Sequence, residues 1–151
     1  MESCPHVQGE GCRVKVYLGG PINGCTDEEA TGWREAVKAV LAEAGHSWAD
    51  PMDRDYRGRE MEPGIAAAIV EGDKQDIAGC DFLLMNAPKP SYGTAMEVLY
   101  GYNLGRSVLV VLPDDGSEPS PWIVYHATIA RGSVVDAARS ILAVPLRRRP
   151  A

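Results

Sequence analysis

The chain has 151 residues, 45% hydrophobic and 24% charged, a balance that suits one soluble domain with its own core and excludes a disordered or fibrous protein. Its formal net charge of −6 argues against a nucleic-acid polymer as partner, which calls for a basic surface, but leaves room for a single phosphate held by local donors. No apolar run approaches the roughly 18 to 20 residues of a membrane span, and Met1 to Gly11 lacks the apolar stretch of a signal peptide, so the expected location is the cytoplasm, with the four cysteines reduced.

Residues 1–12 read as a flexible tail. Cys4, His6 and Cys12 suggest part of a metal site, but no fourth ligand is evident and the paired Cys-x-x-Cys spacing of zinc sites is missing. A single domain is expected over 13–144. Arg13 to Leu18 reads as a first buried strand, ended by the Gly19-Gly20-Pro21 turn. Thr26 with Glu29 three residues on has capping-box spacing and opens a helix to about Ala44, stopped by Gly45. Ser47 to Ala49 is a short second strand, and Pro51 to Pro63 a long polar loop, of a length more often functional than idle. A second helix is expected over Gly64 to Gly79, a third strand over Asp81 to Met85, and a Pro-rich loop to Tyr92. A third helix, beginning at Gly93 or Thr94 and ending at Gly105, reads as apolar on nearly every side and therefore buried. Ser107 to Leu112 is the clearest strand. Pro113 to His126 reads as loop, followed by a short strand and a last helix over Ser133 to Leu142. Residues 145–151, with Arg147 to Arg149, read as a basic tail.

Alternating strands and helices predict one α/β domain: a parallel sheet of about five strands with helices on both faces. In such sheets ligands sit at the carboxyl ends of the strands. Four segments that would gather there hold residues a core does not need. Gly19 and Gly20 follow the first strand directly and let backbone approach a ligand, although a plain tight turn explains them equally well. Asp73 falls on the apolar stripe of the second helix, Ile65, Ile69, Val70, Ile77 and Cys80. A carboxylate there needs a ligand or a partner such as Arg54 or Arg57; Asp76 and Asp81 compete with it, Asp81 as a turn or strand cap. Glu97 is the sole ionisable acid or base of an otherwise apolar helix start. There the helix dipole would keep it ionised at neutral pH, and Ser91, Gly93 and Thr94 offer donors to an anion; a capping contact from Glu97 back to Thr94 is the structural alternative. Last, Ser120, Trp122, Tyr125 and His126 cluster on the fourth segment, to stack on a base or to pack an interface.

In order and spacing these residues resemble the nucleoside 2-deoxyribosyltransferase family, including its nucleoside 5′-monophosphate N-glycosidase branch. The resemblance spans about residues 14–142 and rests on Tyr17-Leu18-Gly19-Gly20-Pro21, on Asp73 eight residues before a strand-opening Asp81, and on Gly93-x-x-x-Glu97. It implies a flavodoxin-like three-layer sandwich and a covalent ribosyl or deoxyribosyl intermediate on Glu97. It also implies a homodimer or higher homo-oligomer whose sites are completed by a neighbouring subunit. The position six before the nucleophile is usually Asp in the nucleoside transferases; here it is Ser91, as in hydrolases that hold a 5′-phosphate. Ser120 falls near the second phosphate-binding serine that those hydrolases take from the neighbouring subunit. The tail after Pro145 lacks the aromatic residue with which the transferases tend to end.

The expected chemistry is attack of Glu97 on C1′ as the base leaves through an oxocarbenium-like state, analogous to retaining glycoside hydrolysis. Asp73 would position or protonate the base, Tyr17 would orient Glu97, and Gly19, Gly20, Ser91, Gly93, Thr94 and a neighbouring subunit's Ser120 would hold the substrate. Neither metal nor cofactor is required. Two other readings remain open. The cytokinin-activating phosphoribohydrolases carry Pro-Gly-Gly-x-Gly-Thr-x-x-Glu, which Pro90 to Glu97 echoes without the glycine pair. A nucleotide-binding module without catalysis would also use these residues.

Overall fold

The computed structural model describes residues 13–143. Both expected tails, with Cys4, His6 and Cys12, lie outside the described residues. Five strands, β1 (Lys15–Gly19), β2 (Ser47–Ala49), β3 (Phe82–Asn86), β4 (Ser107–Leu112) and β5 (Thr128–Arg131), form one sheet in the order β2-β1-β3-β4-β5, every neighbour parallel. Five α-helices follow or link them: α1 (Trp33–Glu43), α2 (Ile65–Ala78), α3 (Tyr92–Asn103), α4 (Pro121–His126) and α5 (Val134–Ala143).

Strand side chains alternate between two cores. Val16, Leu18, Phe82, Leu84 and Val111 pack with Val37 and Leu41 of α1 and Val134, Ala137 and Ala138 of α5. Tyr17, Leu83, Met85, Val108 and Val110 pack with Ile77 of α2 and Val98 of α3. Because both faces are covered, β3 and β4 read as continuous apolar runs rather than alternating ones. The expected α/β three-layer sandwich is therefore the observed architecture, and the strand order is the flavodoxin-like one.

The local signals at α1 hold. Glu29 N–H donates to Thr26 Oγ1 at 3.2 Å while Thr26 N–H donates to Glu29 Oε2 at 2.9 Å, a reciprocal capping box. A π-turn at Glu28–Gly32 then leads into α1. Asp81, just before β3, ties that strand to the start of β1, its Oδ2 accepting Lys15 N–H at 2.9 Å.

Three expectations are corrected. Pro113 to His126 is not all loop: Ser120 caps a short helix, its Oγ accepting Trp122 N–H, and Pro121 takes the first turn where no N–H is needed. The long loop after β2 opens with a 3-10 turn, Pro51–Arg54, capped by Asp50. And α3 is not buried all round. Thr94, Val98 and Gly101 face the sheet, whereas Tyr92 and Met96 are 92% and 70% exposed. An apolar helix surface fits a sheet along one stripe only; α2 and α4 pack its flanks, and no described residue buries the outer side that carries Tyr92 and Met96.

Candidate functional site

The sheet order reverses at β1: the chain runs outward to β2, then returns to β3 on the other side. The crevice between the β1 and β3 loops is where ligands bind in such sheets, and a cavity of about 330 Å³ lies there. Its walls come from the β1 loop (Gly20 to Asn23), the β2 loop (Pro51, Arg54, Tyr56, Arg57), α2 (Ile69, Asp73) and the start of α3 (Lys89 to Thr94, with Glu97).

Glu97 stands in the second turn of α3, because Ser91 and not Thr94 is the cap: Ser91 Oγ accepts Thr94 N–H at 3.3 Å. The capping contact from Glu97 to Thr94 is thus ruled out by register. Glu97 Oε2 is buried without a hydrogen-bond partner. Burial first, then the negative charge of Asp73, pushes the Glu97 carboxyl up to about 8, against opposing pulls from Tyr17 and Arg34. The expectation of an ionised Glu97 at neutral pH is therefore corrected: one turn further into the helix, desolvation outweighs the dipole.

Glycine at position 19 makes this proximity possible. A Cβ there would collide with Met85 Cε and come within 3.0 Å of Glu97 Oε2; at Gly20 it would lie 2.7 Å from the Asn86 carbonyl oxygen. Tyr17 is fully buried on the same face of β1. Its hydroxyl makes no formed hydrogen bond, although burial, then Glu97 and Asp73, raise its pKa. Tyr17 and Glu97 are neighbours, and the Tyr17 hydroxyl favours the ionised form of Glu97.

Asp73 is not sealed in a core stripe. On α2 only Ile77 is buried, with Cys80 just beyond the helix, and Val70 is exposed; Ile69 and Asp73 line the cavity. Arg54 Nη2 bridges Asp73 at 3.1 Å and Asp76 at 2.8 Å, so the expected arginine partner is present and the carboxylate borders the cavity as well. Burial raises the Asp73 pKa, with Arg54 acting in the opposite direction. Arg57 is held by Asp27 at 2.7 Å and Asp55 at 2.8 Å, and joins the β2 loop to Cys25 by donating to its carbonyl at 3.0 Å.

Of the substrate-binding candidates, Gly20, Ser91, Gly93 and Thr94 line the cavity. Thr94 Oγ1 is buried and unpartnered. Gly19 lies behind the cavity against Glu97, and Ser120, at the start of α4, is not among the lining residues. Sequence reasoning missed Lys89, a lining cation in no ion pair with a described residue; a lysine in a Pro-rich loop gives little signal. It also missed Arg34. That residue shares a helical stripe with Val37 and Leu41, the same sign by which Asp73 was noticed. Among the described residues no group of three or more His, Cys, Asp or Glu side chains is arranged to hold a metal, and no helix is long and apolar enough to cross a membrane.

Fold and site together define a flavodoxin-like α/β protein with a pair of facing carboxyl groups beside a helix N-terminus, fitted to a small polar ligand. The chain belongs to the nucleoside 2-deoxyribosyltransferase family, whose sequence profile matches residues 16–139. Membership places it with enzymes that act on the N-glycosidic bond of nucleosides or nucleotides. Solved structures share the fold. A 2-deoxyribosyltransferase from Bacillus psychrosaccharolyticus is 19% identical, with a TM-score of 0.66 over 90% of this chain and 99% of that one. The CMP N-glycosidase of Clostridium botulinum is 14% identical, with a TM-score of 0.55 over 84% and 97%. A conserved protein of Enterococcus faecalis is 12% identical, with a TM-score of 0.66 over 85% and 99%.

Proposed function

We propose that the chain hydrolyses the N-glycosidic bond of a nucleoside 5′-monophosphate, ribo or 2′-deoxy, through a covalent glycosyl intermediate on Glu97. The observation that carries this reading is that the Glu97 and Asp73 pair shares one cavity with the capped start of α3, Ser91 and Gly93, and with Lys89, which has no ion pair among the described residues. A nucleotide bound there would put C1′ at the carboxylates and its 5′-phosphate at the helix start, where N–H groups and a cation favour it.

The raised Glu97 pKa supplies the proton the leaving base needs. Glu97 passes its proton to Asp73, and the freed carboxylate oxygen bonds to C1′. The C1′–N bond breaks with its electron pair going to the base, which takes the proton from Asp73 and leaves neutral. Water then attacks C1′, the sugar–Glu97 bond breaks, and the proton released returns to the carboxyl pair. Tyr17 stands beside Glu97 as donor to its ionised form. The reading includes a homo-oligomer in which a neighbouring copy's Ser120 adds a hydroxyl at the phosphate.

The 2-deoxyribosyltransferase likeness favours a second reading, in which another base and not water takes the sugar. One experiment separates them. Ribo- and deoxyribonucleoside monophosphates and the matching nucleosides are incubated with the protein, with and without a second free base, and resolved by chromatography. Free base from the monophosphates supports hydrolysis; a new nucleoside, formed only with added base, supports transfer. No turnover of any of them leaves a nucleotide-binding module.

A further inference from the structure

We infer that Arg34, on α1 and outside the cavity wall, is a positioning residue for Glu97: its guanidinium clamps the carbonyls on either side of Gly19 and places the nearest buried positive charge behind the Glu97 carboxylate. The inference rests on the role of Glu97 proposed above, but its geometry does not.

Arg34 is fully buried, a costly place for a cation unless every donor is used. Nε donates to Leu18 O at 3.2 Å and Nη2 to Gly20 O at 3.2 Å, while Nη1 donates to Ala30 O. Leu18 and Gly20 are alternate residues, so their carbonyls point to the same side of the strand. That side has no strand neighbour: β2 pairs with β1 only as far as Ala49 opposite Tyr17, and the chain turns away at Asp50. Arg34 occupies the gap and Asp50 holds it there, with Oδ1 at 3.4 Å from Nε; the Trp33 ring lies 4.5 Å from its Cζ.

The clamped peptide matters because Gly19 is the backbone against which Glu97 Oε2 packs. A planar fork can grip two carbonyls at once; an ammonium on a flexible stem cannot do so with the same geometry. If Arg34 served only to fill the end of a strand, a neutral donor would suffice. Its charge has a second consequence. The groups facing Glu97 are Tyr17 on β1, Asp73 on α2, itself tied to Arg54 and through it to Asp76, and Arg34 on α1. Asp73 opposes ionisation of Glu97, and Arg34 favours it. Asp50 and Lys38, 2.6 Å apart, complete the charges around Arg34, which also has Tyr17 and the Cys25 thiol nearby.

The test compares Arg34→Gln, which keeps donors and drops the charge, with Arg34→Lys, which keeps the charge and drops the fork. The Glu97 carboxyl is titrated directly by carbon-13 NMR of glutamate-labelled protein, its signal assigned with Glu97→Gln. The Arg34→Gln midpoint should rise by about one pH unit or more, a tenfold smaller ionised fraction, and the acidic limb of kcat/KM should move with it. Arg34→Lys should hold the midpoint within about half a unit yet lose at least about tenfold in kcat. An unmoved midpoint in folded Arg34→Gln, or full kcat in Arg34→Lys, overturns the inference. Should neither variant fold, Asp50→Asn removes a nearby negative charge while Lys38 and Arg34 remain. The Glu97 midpoint must then fall, and a static or raised value overturns the inference. Because the titration needs no substrate, a protein that releases no base refutes the proposed activity without touching this result.

Discussion

At the scale of single residues, the proposed reaction turns on two carboxyl groups. Glu97→Gln should abolish base release, a loss of at least about a thousandfold for a covalent nucleophile, with the fold intact by circular dichroism; activity within about tenfold of wild type would remove Glu97 from that role. The same variant has a stability signature. With the folded pKa raised to about 8 from an ordinary 4.5, the folded state binds the Glu97 proton more tightly than the unfolded state. Its contribution is whole below pH 4.5 and is lost as pH rises toward 8, by up to about 1.4 kcal/mol per pH unit. Denaturant unfolding of wild type should therefore weaken across that window. Glu97→Gln should be flatter and the more stable protein at pH 8, and an unchanged pH dependence would mean that the carboxyl is not desolvated. Asp73→Asn removes the charge that opposes Glu97 and, in the proposed reaction, the group that passes the proton on. We expect kcat to fall at least about a hundredfold. Normal specific activity in its folded fraction would make Asp73 no more than the counter-ion of Arg54.

At the scale of elements, the proposed reaction gives the N-terminus of α3 two tasks. Ser91 caps the helix through its oxygen while its own O–H stays available to a phosphate. The tasks separate by substitution. Ser91→Ala loses the cap, worth about 0.5–2 kcal/mol, and should erase much of an expected tenfold or greater kcat/KM preference for 5′-monophosphates over nucleosides, about 1.4 kcal/mol. Ser91→Asp keeps a capping oxygen and so keeps the melting temperature, but its charge repels phosphate. Paired kinetics on one base, with and without its 5′-phosphate, give the answer. A monophosphate preference that survives in Ser91→Asp would place the phosphate elsewhere.

At the scale of the whole molecule, α3 and α4 carry an apolar surface that no described residue covers, with Tyr92, Met96, Trp122, Val124 and Tyr125 all more than half exposed. Tyr102, Tyr125, His126 and Trp122 form one aromatic group along it. Exposed patches of this kind mark interaction surfaces more often than idle ones. Tyr92 belongs to both this surface and the cavity wall, so a copy docked there would close the site. Met96→Glu is expected to shift the protein from oligomer to monomer in analytical ultracentrifugation and to lower activity with it. A wild type that sediments as a monomer with full activity would rule out a shared site.

The alternation of strands and helices, the Thr26 and Glu29 cap, and the boundaries of β2 and β4 were all readable from the chain, because each is marked by a local pattern of apolar, capping and turn residues. Asp73, Ser91, Gly93, Thr94 and Glu97 stood out as residues a core does not need, while Tyr17, a core residue, gained its expected role only through the ordered motifs that carried the family. What the chain alone misjudged concerns solvent and register. A helix apolar on nearly every side looks buried, yet α3 is fully buried only along its sheet-facing stripe and partly so on the flanks against α2 and α4. Glu97 looked ionised because the helix was expected to begin one or two residues later and its dipole to govern. Burial against Gly19 and Asp73 reverses that, and desolvation depends on what surrounds a group in space. Arg34 shows the same limit from the other side. Its place on a buried stripe was legible, but the two carbonyls and the Asp50 carboxylate that make the burial tolerable come from β1 and the end of β2, brought together only when the sheet forms.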